Sequence, residues 1–135
     1  MSNRSTDEER QLASRARELL AFVGLKQYHE DLAKSIPLRV KKRLKAARAL
    51  ATRAQLVLLD EPAAGMNPQE TIGLVALFER IRKEGTATLP VEQNDYLALE
   101  MADTAYVLET GRVAVQGTGR ELLNNDEVRK ANLGG

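Results

Sequence analysis

The stretch Leu56-Val57-Leu58-Leu59-Asp60-Glu61-Pro62 decides the fold that we predict for this chain. Its consecutive aliphatic residues predict a strand that is buried on both faces, as in a parallel sheet covered by helices. Two carboxylates and a proline follow the strand directly. Because ligands of open α/β sheets bind beyond the carboxyl ends of the strands, this acidic pair indicates a functional site. The alternative is an Asp-Glu-Pro turn without chemistry.

The remaining sequence predicts helices, a second strand and a hairpin. Glycine and proline mark most of the boundaries, since glycine commonly ends helices and proline suits their first turn. The predicted order is a helix ending at Gly24, a helix beginning near Pro37, the acidic strand, a helix from Asn67 to Gly85, a strand over 86–92, a further helix, a hairpin across Thr110-Gly111 and two short polar helices. This order is typical of an α/β domain with a helical leader.

The motifs on both sides of the acidic strand resemble ABC-type ATPase subunits, in particular the ATP-binding subunits of branched-chain amino-acid importers. The resemblance extends from about Ala13 to the last residue and covers only the later half of such a subunit. It rests on residues 48–52, 63–70, 91–94, 106–112 and 133–135. It implies an α/β fold, a partial P-loop NTPase (ABC ATPase) core with a helical leader that lacks the Walker A strand and loop.

The resemblance implies a role for each residue of the candidate site. In an intact subunit that binds ATP and Mg²⁺, Asp60 of the Walker B motif would hold the metal and contribute to cofactor binding. Glu61 would act as the general base, and Gln93 would contact the γ-phosphate. From the residues alone, Gln93 is a polar residue at a strand end; its amide can donate to a phosphate but does not titrate near neutrality. The positions expected to face a second subunit are Pro37, Leu38, Arg39, Ala64, Gly65, Met66 and Asn67.

Two elements of the family pattern are missing or altered. The sequence contains no G-x-x-x-x-G-K-[ST] loop, so it offers no primary cradle for nucleotide phosphates. The ATPase signature requires a serine and glycines at a helix N-terminus, but Pro37 and Arg39 occupy the key positions. Proline has neither hydroxyl nor N–H, and an arginine side chain blocks close approach of the backbone. We therefore expect this chain by itself not to hydrolyse ATP.

Composition limits the classes of partner and environment. The chain has 135 residues, 43% of them hydrophobic, a net charge of +1 and no cysteine, which excludes disulfides and thiolate metal sites. No apolar run reaches the length of a membrane span. By resemblance the partners are a second ABC ATPase subunit, a membrane permease and, in one version, a separate N-terminal half, while no nucleic acid is expected. The implied location is cytoplasmic, at the inner face of the membrane through the permease.

The resemblance divides the chain at residue 52. Residues 1–52 would be a remnant of the helical subdomain with an altered signature helix, and residues 53–135 the C-terminal half of the ABC ATPase core. Within the first part, basic residues interleave with apolar ones, which predicts the solvated side of an amphipathic helix; a nucleic-acid-binding surface is the alternative. These basic residues are Arg39, Lys41, Lys42, Arg43, Lys45 and Arg48.

Two further expectations concern the predicted sheet. Pro90 lies inside the second strand, and because proline removes a ladder donor it belongs at an edge. Without the phosphate-binding half, the strand formed by residues 56–59 should expose an unpaired edge and apolar surface, which favours association. A non-catalytic module that binds an intact ATPase or a permease is therefore an alternative function.

Overall fold

The computed structural model describes residues 2–133 as helices packed against two small sheets. The elements in chain order are α1 (Ser2–Phe22), α2 (Leu38–Ala51), β1 (Leu56–Asp60), α3 (Pro68–Lys83), β2 (Ala87–Val91), α4 (Asp95–Met101), β3 (Thr104–Glu109), β4 (Arg112–Thr118), α5 (Gly119–Leu123) and α6 (Asp126–Leu133), with a short 3₁₀ helix at Lys26–Tyr28. The predicted α/β order is confirmed. Gly134 and Gly135, the end of the C-terminal motif, lie outside the described residues.

The two sheets have different topologies. β1 and β2 pair in parallel, with Leu56 opposite Ala87 and Asp60 opposite Val91. β3 and β4 form the predicted antiparallel hairpin. Its loop residues Thr110 and Gly111 have φ angles of 50° and 76°, the left-handed conformation that two-residue hairpin loops require. The parallel pair therefore places the carboxyl ends of β1 and β2 side by side.

Helix α3 begins where the sequence predicts it to begin, at a reciprocal cap. The Asn67 side chain accepts a hydrogen bond from the Glu70 N–H at 2.9 Å, and the Glu70 carboxylate accepts one from the Asn67 N–H at 3.0 Å. Pro68 occupies the first turn, where its missing N–H leaves no bond unmade. This cap fixes the path of the chain between β1 and α3.

The hydrophobic core lies in two clusters. The first joins α1, α2 and α3, and the second joins α4, α5 and α6. The members of the first are Leu19, Val23, Leu25, Ala47, Leu77 and Ile81, and those of the second are Leu99, Leu122 and Val128. The first cluster contains residues from both sides of position 52. Packing therefore does not separate the two predicted parts, and the division of the chain at this residue remains a prediction.

The acidic strand is covered on one face only, so the prediction of burial on both faces is wrong. Val57 is 4% exposed and Leu59 is half-buried, whereas Leu56 and Leu58 are 52% and 69% exposed. The helices that contact this sheet, α2 and α3, lie against the face that carries Val57. We call the opposite surface the bare face; it consists of Leu56 and Leu58 of β1 and Leu89 and Val91 of β2. The expected exposure of apolar surface is confirmed.

The two edges of this sheet differ at Pro90. Ala87 donates its N–H to Gln55 of the preceding segment, and Val91 accepts from the Glu61 N–H, so the odd-numbered residues of β2 face β1. Pro90 therefore faces the outer edge of β2, where within residues 2–133 no further strand pairs. The edge position predicted for this proline is confirmed, since its missing N–H costs no ladder bond there.

Candidate functional site

The carboxyl ends of β1 and β2 form an open cleft of about 230 Å³. The parallel register places Asp60, the last residue of β1, opposite Val91, the last residue of β2. Glu61 therefore lies next to Glu92 and Gln93. The residues that line the cleft are Glu61, Ala63, Ala64, Met66, Thr71, Glu92, Gln93, Asn94 and Leu97. The structure thus brings together the predicted base Glu61, the predicted phosphate contact Gln93 and part of the predicted subunit-facing loop.

Glu61 has an unusual backbone conformation. Its φ angle of 45° lies in the left-handed region, which a residue with a side chain adopts only when its surroundings hold it there. Its N–H donates to the Val91 carbonyl at 2.7 Å, and its own carbonyl accepts from the Ala64 N–H at 3.1 Å. These bonds tie the turn after β1 to the end of β2 and orient the Glu61 side chain toward the cleft.

Glu92 is a further residue of the site, and the sequence indicates it only as part of the motif at residues 91–94. Its side chain is half-buried, and its Oε1 accepts a hydrogen bond from the Ala63 N–H at 2.7 Å. The signal available in the sequence was its position, directly after β2 and beside Gln93. Glu92 supports the loop that follows Glu61, so its carboxylate is already occupied by the backbone.

Lys42 is a second residue whose contacts the sequence does not reveal. It was assigned to the solvated side of α2, but it is half-buried, and its Nζ donates to the carbonyls of Glu61 at 2.9 Å and Ala64 at 2.7 Å. The signal was the spacing to Ala46, because residues four apart share a helix face and Ala46 is buried. The basic segment is therefore only partly a solvated face.

Arg43 corrects the same prediction. It is half-buried, and its Nη1 lies 3.4 Å from the Val23 carbonyl at the end of α1. A Cβ at Gly73 of α3 would lie 2.7 Å from Arg43 Nη2, so the bare glycine gives the guanidinium its space. Lys45 and Arg48 are exposed, as predicted.

Asp60 does not line the cleft. It alternates with Leu56 and Leu58 along β1, which places its exposed carboxylate on the bare face. In the described part of the chain, no group of three or more His, Cys, Asp or Glu residues could hold a metal ion. Nucleotide-bound Mg²⁺ uses one or two carboxylates together with phosphate oxygens, so Asp60 fits as one ligand of a metal that arrives with its nucleotide.

The positions predicted to face a second subunit lie at the start of α2 and in the loop before α3. Pro37 is the N-cap of α2 and provides no side-chain cap, and Leu38 is 79% exposed. Ala64, Gly65 and Asn67 are exposed, and Met66 is half-buried. Arg39 lies 3.4 Å from the Glu70 carboxylate of the same chain. Contact of these residues with a second subunit remains a prediction.

The comparisons with known proteins agree with this geometry. No family model matches the chain. The branched-chain amino acid transport ATP-binding protein BraG of Pseudomonas aeruginosa is 38% identical over 130 residues, which are 96% of this chain and 56% of BraG. The chain is a homologue of ABC-transporter ATP-binding subunits.

Two further comparisons concern another transporter ATP-binding protein and a solved structure. The lipopolysaccharide export ATP-binding protein LptB of Escherichia coli is 30% identical over 92% of this chain and 52% of LptB. The solved structure of MJ1267, an ATP-binding cassette of an ABC transporter in its ADP conformation, matches with a TM-score of 0.79. At 22% identity it covers 93% of this chain and 51% of MJ1267, and it shows the fold. The chain spans about half the length of the curated relatives that it matches.

Proposed function

We propose that this chain provides the water- and metal-handling part of an ATP-binding subunit that drives branched-chain amino-acid import. The proposal rests on one observation, the meeting of Glu61 and Gln93 in a cleft at the carboxyl ends of parallel strands. BraG, whose name states branched-chain amino-acid transport, supports the choice of cargo over the lipopolysaccharide named for LptB, because its identity is higher.

Each residue of the corner has a separate task in this proposal. Glu61 would accept the proton of the attacking water, and Gln93 would donate a hydrogen bond to the terminal phosphate. Asp60, whose carboxylate lies on the bare face, would be one ligand of Mg²⁺, and the metal would supply charge neutralisation at the phosphate. The phosphate-binding loop is not among these 135 residues and would be supplied by sequence outside them, and we propose that this sequence covers the bare face. No helix within residues 2–133 is long and apolar enough to cross a membrane. By analogy with the transporter subunits that the chain resembles, we propose a permease as the partner that holds the assembly at the inner face of the membrane.

Reconstitution tests this proposal. The part of BraG that has no counterpart in this chain is produced with it, and ATP hydrolysis by the mixture is measured. We expect activity well above that of either component, and at least a hundredfold loss, as an order of magnitude, in Glu61→Gln, because a general base contributes about 10²–10⁴ in rate. Glu100→Gln, on an exposed carboxylate of α4, is the matched control and should retain activity.

The chain by itself provides the opposite test. With no phosphate loop, it should neither hydrolyse ATP nor bind Mg·ATP with micromolar affinity. Turnover by the purified chain that disappears in Glu61→Gln, or micromolar binding in calorimetry, would contradict the proposed division of labour.

A specific contact favours the alternative, a non-catalytic module that binds an intact ATPase or a permease. Arg39, at a signature position, is paired with Glu70 of its own chain at 3.4 Å, and Pro37 offers no N–H or hydroxyl to a nucleotide. Co-purification of this chain with intact BraG, together with no restored hydrolysis in the mixture of this chain and the BraG part, would support this function over the enzymatic one.

A further inference from the structure

In the turn after β1, two backbone carbonyls accept hydrogen bonds from a side chain of another element. The carbonyls of Glu61 and Ala64 both point to a place that the Lys42 ammonium fills, at 2.9 Å and 2.7 Å. An ammonium carries up to three N–H donors, so one side chain can serve both carbonyls. Since Lys42 is 19 and 22 residues away in sequence, this is a tertiary contact.

A second side chain holds the same turn from the side of β2. The Glu92 carboxylate accepts the Ala63 N–H at 2.7 Å. The two side chains are complementary, because a lysine can only donate and an ionised carboxylate can only accept. Between them lies Glu61, whose left-handed backbone needs such support.

We propose that Lys42 is a positioning residue, which holds the Glu61–Ala64 backbone from helix α2 and thereby sets the direction of the Glu61 side chain. Its contact is with the backbone and not with a nucleotide, so it acts through Glu61. The part of this inference that concerns catalysis rests on the proposed function; the part that concerns the turn does not.

The consequence for the fold is a mechanical link between α2 and the acidic corner. Lys42 shares a helix face with Ala46, which is buried, so the lysine stem lies against the core while its head reaches the turn. Arg39, one turn earlier on α2, reaches Glu70 at the start of α3. A displacement of α2 would therefore disturb two sets of contacts, those of Lys42 with the turn after β1 and that of Arg39 with the start of α3.

Amide hydrogen exchange on the full chain tests the structural part. In Lys42→Met, the Ala64 N–H, which donates to Glu61, should exchange at least about tenfold faster, while the N–H groups in the middle of α3 change less, as expected for a local opening. Lys42→Arg, which keeps the donors, should restore slow exchange. Lys45→Met, on an exposed lysine of the same helix, should leave the turn unchanged.

Two results would overturn this part of the inference. One is unchanged exchange of Ala64 in Lys42→Met, and the other is equal acceleration of all amides, which indicates general destabilisation alone. If Lys42→Met does not fold, Lys42→Gln, which retains a shorter donor, takes its place and should give an intermediate exchange rate at Ala64. Ala64 exchange in Lys42→Gln that equals the wild-type rate would equally refute the inference.

Kinetics of the reconstituted mixture test the catalytic part. Lys42→Met should lower kcat about tenfold or more with KM within about twofold, because misplacement of a catalytic group affects the chemical step and not nucleotide binding. Lys42→Arg should recover most of kcat. A rise in KM with unchanged kcat would refute the positioning role. If the wild-type mixture shows no hydrolysis, the proposed function fails, and the exchange experiment still decides whether Lys42 holds the turn.

Discussion

The two faces of the β1–β2 sheet carry the same kind of residue in opposite surroundings. On the covered face, Val57 is 4% exposed beneath α2 and α3. On the bare face its neighbour Leu58 is 69% exposed. Both side chains are aliphatic and adjacent in sequence, so the difference does not lie in the residues themselves. It lies in which face the helices cover: α2 and α3 pack over Val57, whereas no element within residues 2–133 covers Leu58.

The largest expected effect lies beneath the covered face. Ile81 of α3 is 2% exposed, and Ile81→Ala should lower the free energy of unfolding by about 2–5 kcal/mol, the range for deleting buried aliphatic side chains. Ile72→Ala, on the same helix at 63% exposure, should change it by less than about 0.5 kcal/mol. Urea denaturation measures both. Similar losses in the two variants would show that the covered side is not the core.

A direct test compares neighbours on β1. Val57→Ala should cost about 2 kcal/mol of unfolding free energy, because it removes buried methyl groups and leaves a cavity. Leu58→Ala should cost less than about 0.5 kcal/mol in the chain by itself, since the leucine is exposed. The comparison applies at protein concentrations where the chain is monomeric, and it fails if Leu58→Ala is the more damaging there, which would mean that Leu58 is packed within the monomer.

Association tests whether the bare face is an interface. We expect the isolated chain to self-associate, and Leu58→Ser with Leu89→Ser to weaken association about tenfold, or roughly 1.4 kcal/mol. Sedimentation velocity over a concentration series measures this. Leu12→Ser is the matched control, since Leu12 of α1 is 71% exposed and lies outside the bare face. A wild-type chain that stays monomeric at high concentration would contradict the prediction.

The smallest effect lies away from both faces, at the start of α5. A hydrogen bond from the Thr118 backbone N–H, and then one with its side chain, lower the pKa of Glu121. Because the folded-state pKa lies below the unfolded value, about 4.3, the stabilising contribution is complete above that value. It is lost as pH falls through the folded pKa.

The corresponding variant is Glu121→Gln. It should be slightly less stable than the wild type at neutral pH, and the difference should be smaller at about pH 3, below the unfolded-state pKa of about 4.3. Urea denaturation at the two pH values gives this difference. A difference that stays constant with pH would rule out a contribution from the ionised cap.

Local signals in the sequence account for most of the secondary structure. The Thr110-Gly111 loop and the start of α3 at Asn67 and Pro68 depend on a few adjacent residues, and both lie where they were predicted. The acidic strand was also located correctly. Glu61 and Gln93 line one cleft because parallel strands align their carboxyl ends.

Tertiary contacts account for what the sequence reasoning missed. Lys42 and Arg43 looked like solvated charges, since their helix alternates basic and apolar residues, and only the packing of α2 against the turn and α3 reveals their partners. The burial of Leu56 and Leu58 was predicted wrongly for a related reason. A run of aliphatic residues indicates a preference for burial. Whether another element covers these residues depends on the rest of the fold.

Pro90 has a consequence for how this sheet can grow. A sheet polymerises into an endless stack only if strands can be added at both of its sides. The row of donors along the outer side of β2 is interrupted at Pro90, whereas the outer side of β1 has no proline. A strand added at the outer side of β2 would therefore lose a ladder bond at Pro90, which disfavours growth of the sheet in that direction.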